Sequence, residues 1–193
     1  MDYGEVAAAL EAGRAAWDYV KLYDFDMIGL GEIGIGNTLS ASALGSAAMQ
    51  LPVELMTGPG SGGCTRMARK IELLRQAMDK EPPDPNNVLD ILARFGGLEI
   101  AALTGFISEA KNYGIPVILD GFVTTVAALL AVMLNNQSLP NLFCPSLAVE
   151  PGHRLILERL QLEPWFDLDL NYGEGLAAVM GMFMAEITMS FYQ

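Results

Sequence analysis

A short apolar run, Phe25 to Leu30, stops at a glycine and passes at once into Gly31-Glu32-Ile33-Gly34-Ile35-Gly36-Asn37-Thr38. Small and apolar residues then continue to Met49. The run lacks the polar alternation of a half-exposed strand, so both of its faces need cover, and the small-residue stretch after the turn reads as a tightly packed helix. Strand, glycine-rich turn and helix in that order commit the chain to α/β layering with parallel strands. The pattern recurs at Ile115–Leu119, where proline is confined to the strand's start and a buried helix over Thr124–Leu134 follows. Asn141–Cys144 reads as a last short strand.

Helical spacing covers much of the rest. Glu5–Val20 offers Val6, Leu10, Ala16, Trp17 and Val20 to a core, and Thr65–Met78 carries Met67, Ile71, Leu74 and Met78 on one side. Asp84-Pro85 reads as an N-cap followed by proline at the first helical position, opening a helix through Val88, Ile91 and Leu92 that stops near Gly96-Gly97. Further helices are expected over Leu98–Asn112, Pro151–Leu160 and Gly175–Phe191. About three strands against about eight helices is few for a sheet covered on both faces. The expected fold is one α/β domain over residues 1–193, a three-layer Rossmann-like parallel sheet with helices on both faces, incomplete on its amino-terminal side.

Composition narrows the functions. Apolar residues make up 52% of the 193, so a packed core is expected. The formal net charge of −12, from 23 acidic and 11 basic side chains, repels a phosphate backbone and argues against nucleic-acid binding. Two cysteines, Cys64 and Cys144, and the single His153 have no metal-ligand spacing, so neither a metal site nor a disulfide framework is expected. The first residues, Met1-Asp2-Tyr3-Gly4-Glu5, lack the basic and apolar regions of a signal peptide. The apolar run Thr125–Leu134 falls well short of the roughly 20 residues that span a bilayer. A cytoplasmic protein with no membrane contact is expected.

Four segments carry candidate chemistry. In the turn Gly31–Thr38, glycines let the backbone approach a ligand and the helix start presents unpaired N–H groups to an anion; a plain tight connection is the other reading. Gly58-Pro59-Gly60-Ser61-Gly62-Gly63 precedes a helix containing Lys70 and reads as a flexible loop or a second anion contact. Leu119-Asp120-Gly121-Phe122 stands at a strand's carboxy end, where open parallel sheets bind ligands; Asp120 reads as a sugar contact or as the N-cap of the next helix. Tyr172-Gly173-Glu174-Gly175 puts a carboxylate at a helix start, where the dipole favours the anion; Glu174 reads as a general base or a capping acid.

Taken together and in order, these segments resemble the nicotinate-nucleotide:dimethylbenzimidazole phosphoribosyltransferase family. The similar stretches are GEIGIGNTLSA from Gly31, GPGSG from Gly58 with ARK ending at Lys70, GGLEIAALTG from Gly96 and PVILDGF from Pro116. EPGH from Glu150, LEPWFDLDL from Leu162 and GEG from Gly173 continue the series. The resemblance implies transfer of a phosphoribosyl group from nicotinate mononucleotide to a benzimidazole nitrogen, with inversion at the anomeric carbon and without cofactor or metal. It implies Glu174 as the base and phosphate contacts from Gly34, Ile35, Gly36, Asn37 and Lys70, with Thr38 continuing the turn. Glu32, Asp120 and Gly121 match residues near the nucleotide, and Tyr172 stands where a leucine usually borders the base.

The departures are specific. Leu39 replaces the second threonine of GNTT, Leu176-Ala177 replace Thr-Gly of GEGTGA, and Pro145-Ser146-Leu147 stand in the place of a His-Arg-Ser run. These changes touch acceptor choice, so a purine or phenol acceptor is a variant of the same chemistry. The family's amino-terminal region, with its PPGSLG-type motif, has no counterpart here. The resemblance therefore implies a carboxy-terminal part, either a fragment or a chain that a second polypeptide completes, and, since homodimers are usual in the family, a homodimer or a complementing chain as partner. The alternative is a non-catalytic nucleotide-binding or assembly paralogue.

Overall fold

The computed structural model describes residues 1–59, 67–137, 139–170 and 172–192. Three parallel strands, β1 (Ile28–Gly29), β2 (Val117–Ile118) and β3 (Leu142–Phe143), lie in the order β1-β2-β3. Ile28 is in register with Val117, and Val117 with Leu142. The ladder is short because few bonds hold it: Leu30 N donates to the Ile118 carbonyl (2.9 Å) and Leu119 N to the Phe143 carbonyl (2.7 Å). The expected runs Phe25–Leu30, Ile115–Leu119 and Asn141–Cys144 thus contribute two paired residues each.

Alternation along β2 sorts the layers. Val117 and Leu119 join the main core. Ile118 faces α9 (Leu176–Ser190), where a Cβ on Gly181 would lie 3.3 Å from it. Helices therefore cover both faces of an α/β sheet, as expected.

The main core packs α1 (Tyr3–Val20), α2 (Asn37–Met49), α5 (Val88–Phe95), α6 (Leu98–Ala110), α7 (Phe122–Asn135) and α8 (Pro151–Leu160) around fully buried Trp17, Leu44, Ile91, Ile100 and Leu130. The α1–α6 crossing is close because it meets at glycine: a Cβ on Gly105 would fall 2.0 Å from the Leu10 carbonyl oxygen. Among the described residues no helix is long and apolar enough to cross a membrane.

Several local expectations are corrected. Asp84 is not an N-cap; Asn87 is, accepting from Leu89 N (3.1 Å) and Asp90 N (3.2 Å), while Asp84 closes a turn on Asn86 N. The helix starts late because the Asp84 N–H bonds the Asp90 carboxylate, folding the proline segment back on the first turn. The first helix begins at Tyr3 rather than Glu5, since Asp2 and Glu5 exchange bonds in a capping box. In that helix Ala16 is exposed, and Ala9 and Gly13 take the core side. A one-turn helix, α3 (Val53–Met56), was unsignalled, and α4 (Met67–Lys80) carries the stripe built around buried Leu74. Gly60, Ser61, Gly62, Gly63, Cys64 and Thr65 lie outside the described residues.

Candidate active site

All three strands point their carboxy ends at one place. The loop after β1 carries Glu32 and opens α2, the turn after β2 carries Asp120 and opens α7, and the segment after β3 carries Glu150 and opens α8. The turn before α9 closes over them, leaving a cavity of about 700 Å³. This is where open parallel sheets bind ligands.

Gly36 is the N-cap of α2 in a left-handed conformation (φ 84°) and gives that helix no side-chain cap; Leu39 N bonds the Gly36 carbonyl (3.0 Å), and the Asn37 and Thr38 N–H groups ahead of it have no acceptor among the described residues. The Asn37 side chain turns away from the backbone and donates to the Glu32 carboxylate. Burial pushes the Glu32 carboxyl above its usual range; the Asn37 bond opposes this, while the nearby Glu99, Asp120 and Glu174 carboxylates reinforce it.

Asp120 resolves its two readings in an unforeseen way. Thr124 closes the start of α7, with its Oγ1 accepting from Asp120 N and Gly121 N (both 3.0 Å). The Asp120 carboxylate instead reaches the start of a helix over fifty residues on: it accepts from Gly175 N (3.1 Å), Ala177 N (2.7 Å) and Ala178 N (3.3 Å). Asp120 is therefore the anionic cap of α9. Burial raises its carboxyl despite these three donors.

With that helix start occupied by Asp120, the neighbouring Glu174 carboxylate is left without a partner among the described residues. Glu174 is held at φ 64°, followed by Gly175 at φ 86°. Two left-handed residues in succession turn the exposed Glu174 toward the cavity that it lines. The turn is packed hard onto the β1 loop, because a Cβ on Gly31 would lie 2.6 Å from both the N and Cα atoms of Gly175. A Cβ on Gly173 would lie 3.8 Å from both the Asp120 and the Glu32 carboxylates, so this turn passes directly over the acidic floor.

Of the eleven residues singled out from sequence, nine line this one cavity: Glu32, Gly34, Ile35, Asn37, Thr38, Asp120, Gly121, Tyr172 and Glu174. Gly36 and Lys70 do not. Lys70 stands on α4 with its Nζ donating to the Pro59 carbonyl (3.1 Å), on the side of Glu150, whose carboxylate it favours against the burial that raises it. Glu150, Ala148, Phe122 and Leu170 line the cavity too and were not singled out. Glu150 was signalled by the EPGH stretch, whose acid is 7% exposed. Four carboxylates and no Lys or Arg line the cavity among the described residues, which suits hydroxyl-rich or cationic groups; an anion there must rely on backbone N–H donors.

Comparison with known proteins follows the same lines. The phosphoribosyltransferase family profile matches residues 1–193. A nicotinate-nucleotide–dimethylbenzimidazole phosphoribosyltransferase of Geobacter sp. (strain M21) is 38% identical over 190 residues, covering 98% of this chain and 54% of the relative. One from Roseiflexus sp. (strain RS-1) is 39% identical over 187 residues, covering 96% and 53%. Among solved structures, CobT from Thermus thermophilus superposes with a TM-score of 0.88 at 39% identity, over 95% of this chain and 55% of that one. The chain thus spans about half the length of the relatives it matches. With the profile matched throughout and the fold shared, the chain belongs to the nicotinate-nucleotide–dimethylbenzimidazole phosphoribosyltransferase family.

Proposed function

We propose that this cavity carries phosphoribosyl transfer from nicotinate mononucleotide to 5,6-dimethylbenzimidazole or a related base, giving α-ribazole 5′-phosphate and nicotinate. The phosphate lies on the uncapped start of α2, against the backbone of Gly34–Asn37 and Thr38, where N–H donors and the helix dipole offset the acidic surroundings. The ribose hydroxyls face Glu32 and the Gly121 turn. The azole stands by Tyr172 with its ring N–H toward Glu174. Glu174 takes that proton, the opposite ring nitrogen attacks the anomeric carbon, and the carbon–pyridinium bond breaks with its electron pair returning to the pyridine nitrogen. The leaving group is already cationic, so it departs without protonation, and attack from the opposite face inverts the centre.

The observation that carries this reading is Glu174, without a partner among the described residues and presented by a left-handed turn across one cavity from a helix start that has no side-chain cap. Turnover of nicotinate mononucleotide with dimethylbenzimidazole, followed by chromatography of the product, tests it. Glu174→Gln is expected to abolish turnover while leaving nucleotide binding within a few-fold; undiminished turnover removes Glu174 from the chemistry.

A single domain over residues 1–193, a cytoplasmic location, and a homodimer or second chain completing the protein belong to the same reading. The outer edge of β1, which no other strand covers among the described residues, supports the need for a partner. Sedimentation of the chain, alone and with any polypeptide matching the rest of the family's length, tests that part.

A further inference from the structure

Beneath the cavity lies a polar cluster that the transfer chemistry does not use. His153, on α8, is 0% exposed and touches three elements. Its Nδ1 accepts from Ala148 N (2.8 Å), and its Nε2 lies 2.9 Å from Thr125 Oγ1. Its ring meets Phe122 edge-on, with centroids 6.4 Å apart. Because a backbone N–H occupies Nδ1, the neutral ring carries its proton on Nε2. Nε2–H therefore donates to Thr125, whose own proton goes on to the Gly121 carbonyl (2.8 Å). Every donor and acceptor role in the chain is thereby assigned.

Cys144 Sγ also lies 3.5 Å from Nε2, the spacing of a nucleophile and its base. Burial pushes that thiol up to about 12, and Cys144 is 1% exposed. It is a neutral packing group.

Ala148, Phe122 and Gly121 all line the cavity, and they belong to two different walls. One wall is the segment Ala148–Glu150 after β3, and the other is the turn from β2 into α7. We infer that His153 is a positioning residue, a spacer of fixed length that holds the Ala148–Glu150 wall against the first turn of α7 and so sets the width of the nucleotide cavity. The imidazole fits this role because it is rigid and presents an acceptor and a donor on opposite edges. The Ala148 tether matters most. The Gly121 carbonyl has further donors in Thr125 N (2.9 Å) and Thr124 Oγ1 (3.0 Å), whereas among the described residues the Ala148 N–H bonds the ring alone.

This inference rests on the proposed nucleotide site for its effect on binding, but not for its geometry, so two readouts are needed. Amide exchange by NMR reads the tether directly, and calorimetry with nicotinate mononucleotide reads the cavity. His153→Asn keeps an acceptor at the Nδ1 position, His153→Gln keeps a donor at the Nε2 position, and His153→Leu keeps neither. Thr125→Val breaks the far link alone and guards against a folding failure in the leucine variant.

Ala148 protection is expected to survive in the asparagine and Thr125→Val variants and to fall at least tenfold in the glutamine and leucine variants. Nucleotide affinity, measured well below each melting temperature, is expected to fall about tenfold in the glutamine and leucine variants, as for one buried hydrogen bond, and by a smaller factor in the asparagine and Thr125→Val variants, where the wall keeps its tether but the ring loses its hold on α7. An unprotected Ala148 amide in the asparagine variant, or a folded leucine variant with wild-type Ala148 protection, overturns the assignment. So does equal loss of affinity in all the His153 variants. Absence of nucleotide binding by the wild-type chain counts against the proposed function instead, and the exchange pattern then decides the spacer by itself.

Discussion

Removing the Asp120 carboxylate is expected to loosen a helix that begins more than fifty residues away. Its two oxygens take the N–H groups of Gly175, Ala177 and Ala178, and the last two residues are almost completely buried, so water cannot take its place. Loss of a side-chain cap costs about 0.5–2 kcal/mol. A buried donor left unsatisfied costs about 1–3 kcal/mol more. Recovery of the desolvation penalty that raises the Asp120 carboxyl offsets part of this sum. Asp120→Ala should therefore lower stability by about 2–4 kcal/mol. Asp120→Asn, which keeps one carbonyl oxygen for Ala177 but turns an NH₂ toward Gly175 or loses it, should cost about half as much. Urea unfolding measures the loss, and amide exchange at Gly175 and Ala177 locates it. Because Glu174 immediately precedes the freed amides, turnover should fall further than the folded fraction does. An alanine variant within about 0.5 kcal/mol of wild type, with those amides still slow to exchange, would refute the cap.

Three other outcomes follow from the geometry. Gly31→Ala puts a methyl 2.6 Å from the Gly175 backbone, so it should cost about 1–3 kcal/mol and displace the Glu174 turn, seen as a drop in both melting temperature and turnover. Glu32→Gln should keep the Asn37 contact through its amide oxygen and relieve the repulsion that Glu174 and Asp120 impose on it, leaving stability equal or slightly higher; a loss above about 1 kcal/mol in urea unfolding would contradict this. Burial lowers the His153 ring from 6.5 to about 3, so the unfolded chain binds a proton that the folded chain refuses. Stability should thus be fully present above pH 6.5 and fall toward pH 3, by at most about 1.4 kcal/mol per unit from this residue, and His153→Asn should flatten that slope. The raised carboxyls of Glu32, Asp120 and Glu150 act oppositely, gaining stability as pH falls, so the difference between wild type and variant is the quantity to read.

The layering was legible because it is written locally. A short run that is apolar but for Asp26 and stops at a glycine suits a covered strand, and the turn Gly31–Thr38 follows from conformational freedom at Gly36. Nine of the eleven chosen residues share a cavity for the same reason: strand ends in a parallel sheet converge by topology. What sequence could not show was where long-range acceptors reach. Asp120 had two local readings, yet its partners lie at residues 175–178, and only the packing of α9 across β2 brings them together. Glu150 and His153 stood in the EPGH stretch, but the same non-locality hid what they do. An acid beside proline and a lone histidine have ordinary readings until burial is known. Asp84 misled because its capping signal was real but lost to Asn87, whose oxygen takes two N–H groups at once.

The central claim is that one nucleotide reaches from the start of α2 to the turn that carries Glu174. Titration of the isotopically labelled chain with nicotinate mononucleotide, read as amide shift changes, tests it most directly. Saturable shifts with a single affinity at Gly34–Thr38 and at Gly173–Ala177 are predicted, with the first set lost when the nucleoside replaces the nucleotide. Shifts confined to one of the two segments, or a phosphate-independent response at Gly34–Thr38, would contradict the account.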